Sequence, residues 1–381
     1  MVFCMLFFTC TERKEEEADH IIPYPPSLPI ICRTQNETSG TEVFYDDYDE
    51  YFKHQWYLNH DSHFSINIIP AWEITKGAGI KVAVLDVGID KYHEDFSNIE
   101  VYNVSDGTDV CHSIISKGFS HGTTVSGIIA ARKNAVGTMG IAHECDFLFV
   151  GDTTTKVVDK GNVAEDLYSS DAIVIKAFQY AKDWGARVIS CSWGTYNASS
   201  TLRSQMKNLY ESGVVVLFAS GNENKSLDLP GINDESEIAE VIGVSASDET
   251  GSRVNFSNYG RNIDIMAPGI NIFSLDTTGT EGSYGGQKFQ NYRAHQGTSF
   301  ATPIAAGVVA LMLAVNPSLT PKEVRTIITE TAQKTCGITN ETYDGNGFSL
   351  SHAYGLIDAA KAVRRAAGLK DDDNGNSAIS E

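Results

Sequence analysis

Positive charge is scarce in this sequence: 29 lysines and arginines stand against 49 aspartates and glutamates, a formal charge of -20 over 381 residues. A surface that acidic repels phosphate backbones, so nucleic acid is not an expected partner. Its main effect is to keep the chain soluble. No two of the seven cysteines, at positions 4, 10, 32, 111, 145, 191 and 336, have C-x-x-C spacing, which argues against a zinc site. Their odd number and wide spread give no disulfide framework, and Cys191 lies in an apolar run that reads as core. Long apolar runs are lacking too. No stretch of the sequence reads as a bilayer span, and there is no internal repeat.

The chain divides by composition. Its first ten residues are apolar, with no basic residue before them, and Glu15-Glu16-Glu17 follows soon after. Residues 1–19 read as a truncated signal or a lipoprotein leader, because Leu6 to Cys10 resembles a lipobox with Cys10 as its acylated residue. The expected location is therefore secreted or cell-surface, with membrane contact only through a lipid on Cys10. Residues 20–54 carry the Pro23-Tyr24-Pro25-Pro26 cluster and the acidic Tyr45–Glu50 run, and read as an irregular extension. Regular patterning fills 55–367, and 368–381 is an acidic, disordered tail.

Within 55–367, short β-branched runs alternate with helical periodicity. Strands are expected at 80–85, 145–150, 187–192, 214–219 and 241–245. The apolar residues Ile173, Val174, Ala177, Phe178, Ala181 and Trp184 line one face of a helix that stops at Gly185. Further helices are expected over 301–314, 321–332 and 358–367. Strands alternating with crossover helices predict an α/β fold: three layers, with a mainly parallel central sheet and helices on both faces.

Three short motifs fall where such a fold places ligands, at the carboxyl ends of its strands. Asp86 ends a strand in Val84-Leu85-Asp86-Val87-Gly88. His121 opens a helix in Ser120-His121-Gly122-Thr123. Ser299 opens another in Gly297-Thr298-Ser299-Phe300-Ala301-Thr302-Pro303, with Pro303 expected in its first turn. Each motif alone reads as ordinary capping or turn chemistry. The three together, in the order Asp, His, Ser, resemble the subtilase family over about residues 55–367, and the Ser299 motif nearly matches that family's Gly-Thr-Ser-Met-Ala-Thr-Pro.

The resemblance implies a subtilisin-like serine endopeptidase. Ser299 would be the nucleophile, His121 the general base and acid, and Asp86 the group that orients the imidazole. Asn222, in Ala219-Ser220-Gly221-Asn222, would complete an oxyanion hole with the Ser299 N–H. Ser192-Trp193-Gly194 would pair with the substrate backbone, with Gly221 alongside. Glu223 and Asp228 would stand near the P1 side chain and favour Arg or Lys there. Asp95 and Asn134 match ligands of a family calcium site; no organic cofactor is implied, and the working form is a monomer acting on peptides or proteins. Three positions depart from the family. Val87 replaces a hydroxyl residue, Thr124 stands where many subtilases carry a second histidine, and Phe300 replaces an oxidisable methionine. The competing reading is a catalytically weak or inactive binding protein on the same fold. An esterase with a Gly-x-Ser-x-Gly elbow has no support in the residue order.

Overall fold

The computed structural model describes residues 47–58, 64–105, 107–108, 121–151, 170–279, 291–335 and 342–369, and the backbone of 3–4, 154–156 and 166–169. The lipid-anchor candidate Cys10, nearly all of the expected leader and the acidic tail beyond Leu369 lie outside the described residues. The elements, in chain order, are β1 (Phe3–Cys4), α1 (Ile68–Ile74), β2 (Lys81–Asp86), β3 (Glu100–Asn103), α2 (His121–Ala130), β4 (Asp146–Gly151), β5 (Thr154–Lys156), β6 (Asp166–Ser169), α3 (Asp171–Trp184), β7 (Val188–Cys191), α4 (Ser200–Glu211), β8 (Val215–Ala219), β9 (Ile242–Ser247), β10 (Ile265–Pro268), β11 (Ile272–Leu275), β12 (Tyr292–His295), α5 (Thr298–Val315), α6 (Pro321–Thr331) and α7 (Ala359–Ala366).

Seven strands form one sheet in the order β10-β9-β8-β7-β2-β4-β3, and every neighbouring pair runs parallel. The β-branched runs explain why. A strand buried on both faces needs apolar residues at successive positions, not at alternate ones. On β2, Val82 and Val84 enter one core, while Ala83 and Leu85 enter the other. The first core also takes residues of α1, α2, α5, α6 and α7. The second takes those of α3 and α4. These are the three layers expected.

Local signals set the helix ends. Ser170 caps α3 by accepting the Ile173 N–H, and Gly185 closes it in the left-handed region at φ 96°. Thr320 and Glu323 form a reciprocal capping box on α6, followed by Pro321 at the first helical position. Helix α5 is longer than the sequence pattern indicates. Among the described residues it is the one helix long and apolar enough to cross a membrane, but 89% of its apolar window is buried inside the body, so it is the central core helix.

The folded body also reaches back past the expected boundary at 55. Phe52 is 1% exposed and stacks on Tyr48. Asp49 is buried and accepts the backbone N–H groups of Asn134 and Ala135. The acidic, tyrosine-rich stretch carries no periodicity, so its burial through single contacts could not be read from pattern.

Candidate active site

The middle of the sheet assembles the site. β2, β7 and β8 are neighbours, and Asp86, Ser192 and Asn222 stand at or just past their carboxyl ends. Helices α2 and α5 begin on the same side and supply His121 and Ser299. One end of one sheet thus gathers all five residues from separate segments.

Asp86 is fully buried, whereas the His121 side chain is 22% exposed. His121 Nδ1 lies 2.8 Å from Asp86 Oδ1 and 3.0 Å from Oδ2. A carboxylate only accepts, so Nδ1 donates and the ring's Nε2 is the nitrogen left to take a proton. Gly122 makes this approach feasible. A Cβ there would lie 2.4 Å from the Gly88 carbonyl oxygen and 2.7 Å from that of Val87, so only glycine lets α2 start against the end of β2. The Gly122 N–H donates to Val87 O at 3.1 Å. At the Val87 departure, the backbone N–H of Val87 itself donates to Asp86 Oδ1 at 2.7 Å. The missing family hydroxyl is therefore offset by a main-chain donor.

Ser299 is the second residue of α5, whose N-cap, Gly297, has φ 142° and no side chain to offer. Asn222 caps the helix from the turn after β8 instead. Its Oδ1 accepts the Thr298 N–H at 2.9 Å and the Thr298 hydroxyl at 3.1 Å. Two donors on one atom identify it as the oxygen, which leaves the amide NH2 as the side chain's donor end. Phe300 N–H turns back to Gly297 O, and the Ser299 N–H between them has no partner among the described residues. Fixed N–H groups at a helix start, where the helix dipole favours negative charge, suit a developing oxyanion.

Pro303 sits deeper than the expected first turn: α5 starts at Thr298, making it the sixth helical residue. Proline has no N–H for the carbonyl four residues earlier, and that carbonyl belongs to Ser299. Ser192 Oγ fills the gap, donating to Ser299 O at 2.7 Å. Ser299 Oγ in turn donates to Ser192 O at 3.1 Å. The two serines clasp the end of β7 to the start of α5, and the proline frees the acceptor that makes the clasp.

The residues expected around the substrate differ in what they present. The Trp193 side chain is buried in the second core and donates to Leu85 O at 3.0 Å, so it offers no side-chain contact to a substrate. Gly194 is buried. Gly221, at φ 98°, donates its N–H to Thr298 Oγ1 at 3.1 Å. The Glu223 carboxylate accepts from Tyr196 OH and from Asn258 Nδ2 at 2.9 Å. Asp228 is turned to Arg261, whose Nε lies 3.5 Å from its Oδ2. The sequence offered no hint of Asn258. It is fully buried and ties down the 220–225 loop, accepting from the Glu223 and Lys225 N–H groups and donating to Ser220 O.

The calcium candidates share one loop cluster. Asp95 is fully buried; its Oδ2 accepts from the Thr138 N–H and hydroxyl, and its Oδ1 has no partner among the described residues. Burial lifts the Asp95 carboxyl to about 7. Asn134 Oδ1 accepts the Val136 N–H at 3.0 Å, and its Nδ2 donates to Glu94 O at 3.0 Å. Among the described residues no group of three or more His, Cys, Asp and Glu side chains is arranged to hold a metal. The orphaned Asp95 oxygen fits a cation; further ligands would have to be backbone or amide oxygens.

The model of the subtilase family matches residues 77–356. Subtilisin NAT of Bacillus subtilis subsp. natto is 33% identical over 291 residues, which cover 76% of this chain and 66% of that protein. Subtilisin of Bacillus pumilus is 33% identical over 291 residues, covering 76% of this chain and 92% of that protein. Among solved structures, a protease from Pseudoalteromonas arctica PAMC 21717 superposes with a TM-score of 0.66 at 26% identity, over 84% of this chain and 99% of the other. By its sheet, its site and this likeness, the chain belongs to the subtilase family.

Proposed function

We propose that this chain is a serine endopeptidase of the subtilisin type that cuts peptide bonds through an acyl-enzyme on Ser299. The observation that carries the reading is the buried Asp86 bonded to His121 Nδ1 at 2.8 Å, beside a serine whose N–H has no partner among the described residues. In this reading the Ser299 hydroxyl leaves Ser192 O and turns to His121 Nε2 when substrate arrives; such bonds commonly tighten only in the substrate complex. His121 takes the proton as Ser299 attacks the scissile carbonyl. Asp86 holds the tautomer and stabilises the imidazolium. The Ser299 N–H and Asn222 Nδ2 receive the oxyanion, and His121 then protonates the leaving amine. Water reverses the sequence on the acyl-enzyme.

The proposed catalytic unit is residues 55–367, to which the packed residues 47–54 are fastened, with peptides or proteins as substrates, action as a monomer, and a secreted or cell-surface location. Substrate would add as a strand along Ser192-Trp193-Gly194, beside Gly221. Glu223 is the better candidate of the two acids for a basic P1 residue, because its partners Tyr196 and Asn258 are neutral, whereas Asp228 already faces the Arg261 guanidinium. Cleavage of internal bonds in a denatured protein and in a peptide library tests the reading. The competing inactive binding protein predicts capture of peptide without cleavage.

A structural calcium ion at Asp95, assisted by Asn134, belongs to the same proposal and would supply the positive charge that the buried Oδ1 lacks. Chelation should then lower the melting temperature, and added calcium should restore it. Asp95→Asn should melt lower and no longer respond to calcium. A wild-type melting temperature indifferent to chelator would refute the ion.

A further inference from the structure

The sequence lacks a histidine at Thr124, and the structure brings one to the same place from a different element. Thr124 is fully buried on α2, and its hydroxyl donates to Leu275 O at 2.7 Å. His295, on β12, puts Nε2 3.4 Å from the same hydroxyl oxygen. The hydroxyl's one hydrogen is already used, so at this contact the oxygen accepts and Nε2 carries the proton. The ring is therefore the neutral Nε2–H tautomer. Burial, with Arg293 next in weight and His121 adding to it, holds its pKa down to about 3, against the opposing pull of Asp276.

His295 does not touch His121 directly. Its ring packs on Phe300, with centroids 4.9 Å apart and an interplanar angle of 37°. Phe300 in turn packs on His121 at 5.5 Å and 54°, and is 7% exposed. The catalytic imidazole is thus held from two sides: Asp86 on β2 grips Nδ1, and Phe300 supports the ring. His295 backs that support from a hairpin whose register pairs it with the buried Ile272.

We propose that His295 is a positioning residue of the active site, bracing Phe300 against His121 so that the imidazole keeps its orientation toward Ser299 and the leaving group. The inference rests on the endopeptidase reading above. The charged and titratable groups concerned are Asp86 facing His121, and Arg293, Asp276 and His121 around His295.

The test measures kcat and KM separately on one peptide substrate for wild type, His295→Ala and His295→Phe, with melting temperatures for each. His295→Ala should lower kcat between about 10- and 100-fold, the range expected of a slightly misplaced catalytic group, with KM nearly unchanged. His295→Phe keeps a ring against Phe300 and should restore most of kcat, which a purely structural role would not require. Wild-type kcat in His295→Ala would overturn the inference, as would a loss that His295→Phe fails to repair. If His295→Ala does not fold, the phenylalanine variant decides alone: near-wild-type kcat supports the brace, and a large loss in a folded protein overturns it. A folded wild type that cleaves no peptide fails the endopeptidase reading itself, and the brace with it.

Discussion

Ser299→Ala should abolish measurable peptide hydrolysis, lowering kcat on the order of 10⁶-fold, the loss known for the nucleophile of subtilisin itself. The fold should be almost untouched. The substitution removes one hydrogen bond, Ser299 Oγ to Ser192 O, worth about 1 kcal/mol net. The opposite half of the clasp uses the Ser299 backbone carbonyl and survives. A melting temperature within a few degrees of wild type, with hydrolysis at background, is the expected pair of results. Kinetic assays under substrate saturation and calorimetry check the two halves. Residual activity within about 100-fold of wild type would mean that another group is the nucleophile.

Asn222→Ala should cost about 10²- to 10³-fold in kcat with little change in KM, the size found for the oxyanion asparagine of subtilisin. Here the residue has two duties, and they separate by substitution. Its oxygen caps Thr298, and its NH2 would meet the oxyanion. Asn222→Asp keeps an oxygen for Thr298 but sets a carboxylate oxygen where the donor was. Its loss in kcat should therefore be at least as large as that of the alanine variant, while its stability stays closer to wild type. If Asn222→Asp were the more active of the two, capping rather than oxyanion stabilisation would be the residue's main role.

Much of this was legible in the sequence, for identifiable reasons. The central strands could be read because burial on both faces demands apolar residues at consecutive positions, as at Val82 to Leu85. Asp86, His121 and Ser299 stood out because each lies in a glycine-bearing motif, and at Gly122 the glycine proves to be a steric requirement. What escaped depends on contacts between distant segments. His295 lies 171 residues from Thr124 in sequence, and nothing local marks it as part of the site. Asn258 reads as one more loop asparagine, yet it anchors the loop that carries Asn222. The Ser192–Ser299 clasp needed the start of α5 to be known, because only then does Pro303 expose the Ser299 carbonyl. Asp49 and Phe52 lie in an acidic stretch whose composition points to a linker; single contacts to distant segments, such as Asp49 to the Asn134 and Ala135 N–H groups and Tyr51 N–H to Gly137 O, fasten it.

Covalent labelling with a fluorophosphonate, mapped by mass spectrometry of the digested protein, tests the central claim most directly. An activated serine displaces fluoride from phosphorus and keeps the phosphonyl group; an ordinary capping serine does not. The account predicts about one label per folded wild-type chain, located on Ser299, strongly slowed in His121→Ala and absent in Ser299→Ala. Folded wild-type protein that stays unlabelled, or that carries the label on a different residue, would contradict it.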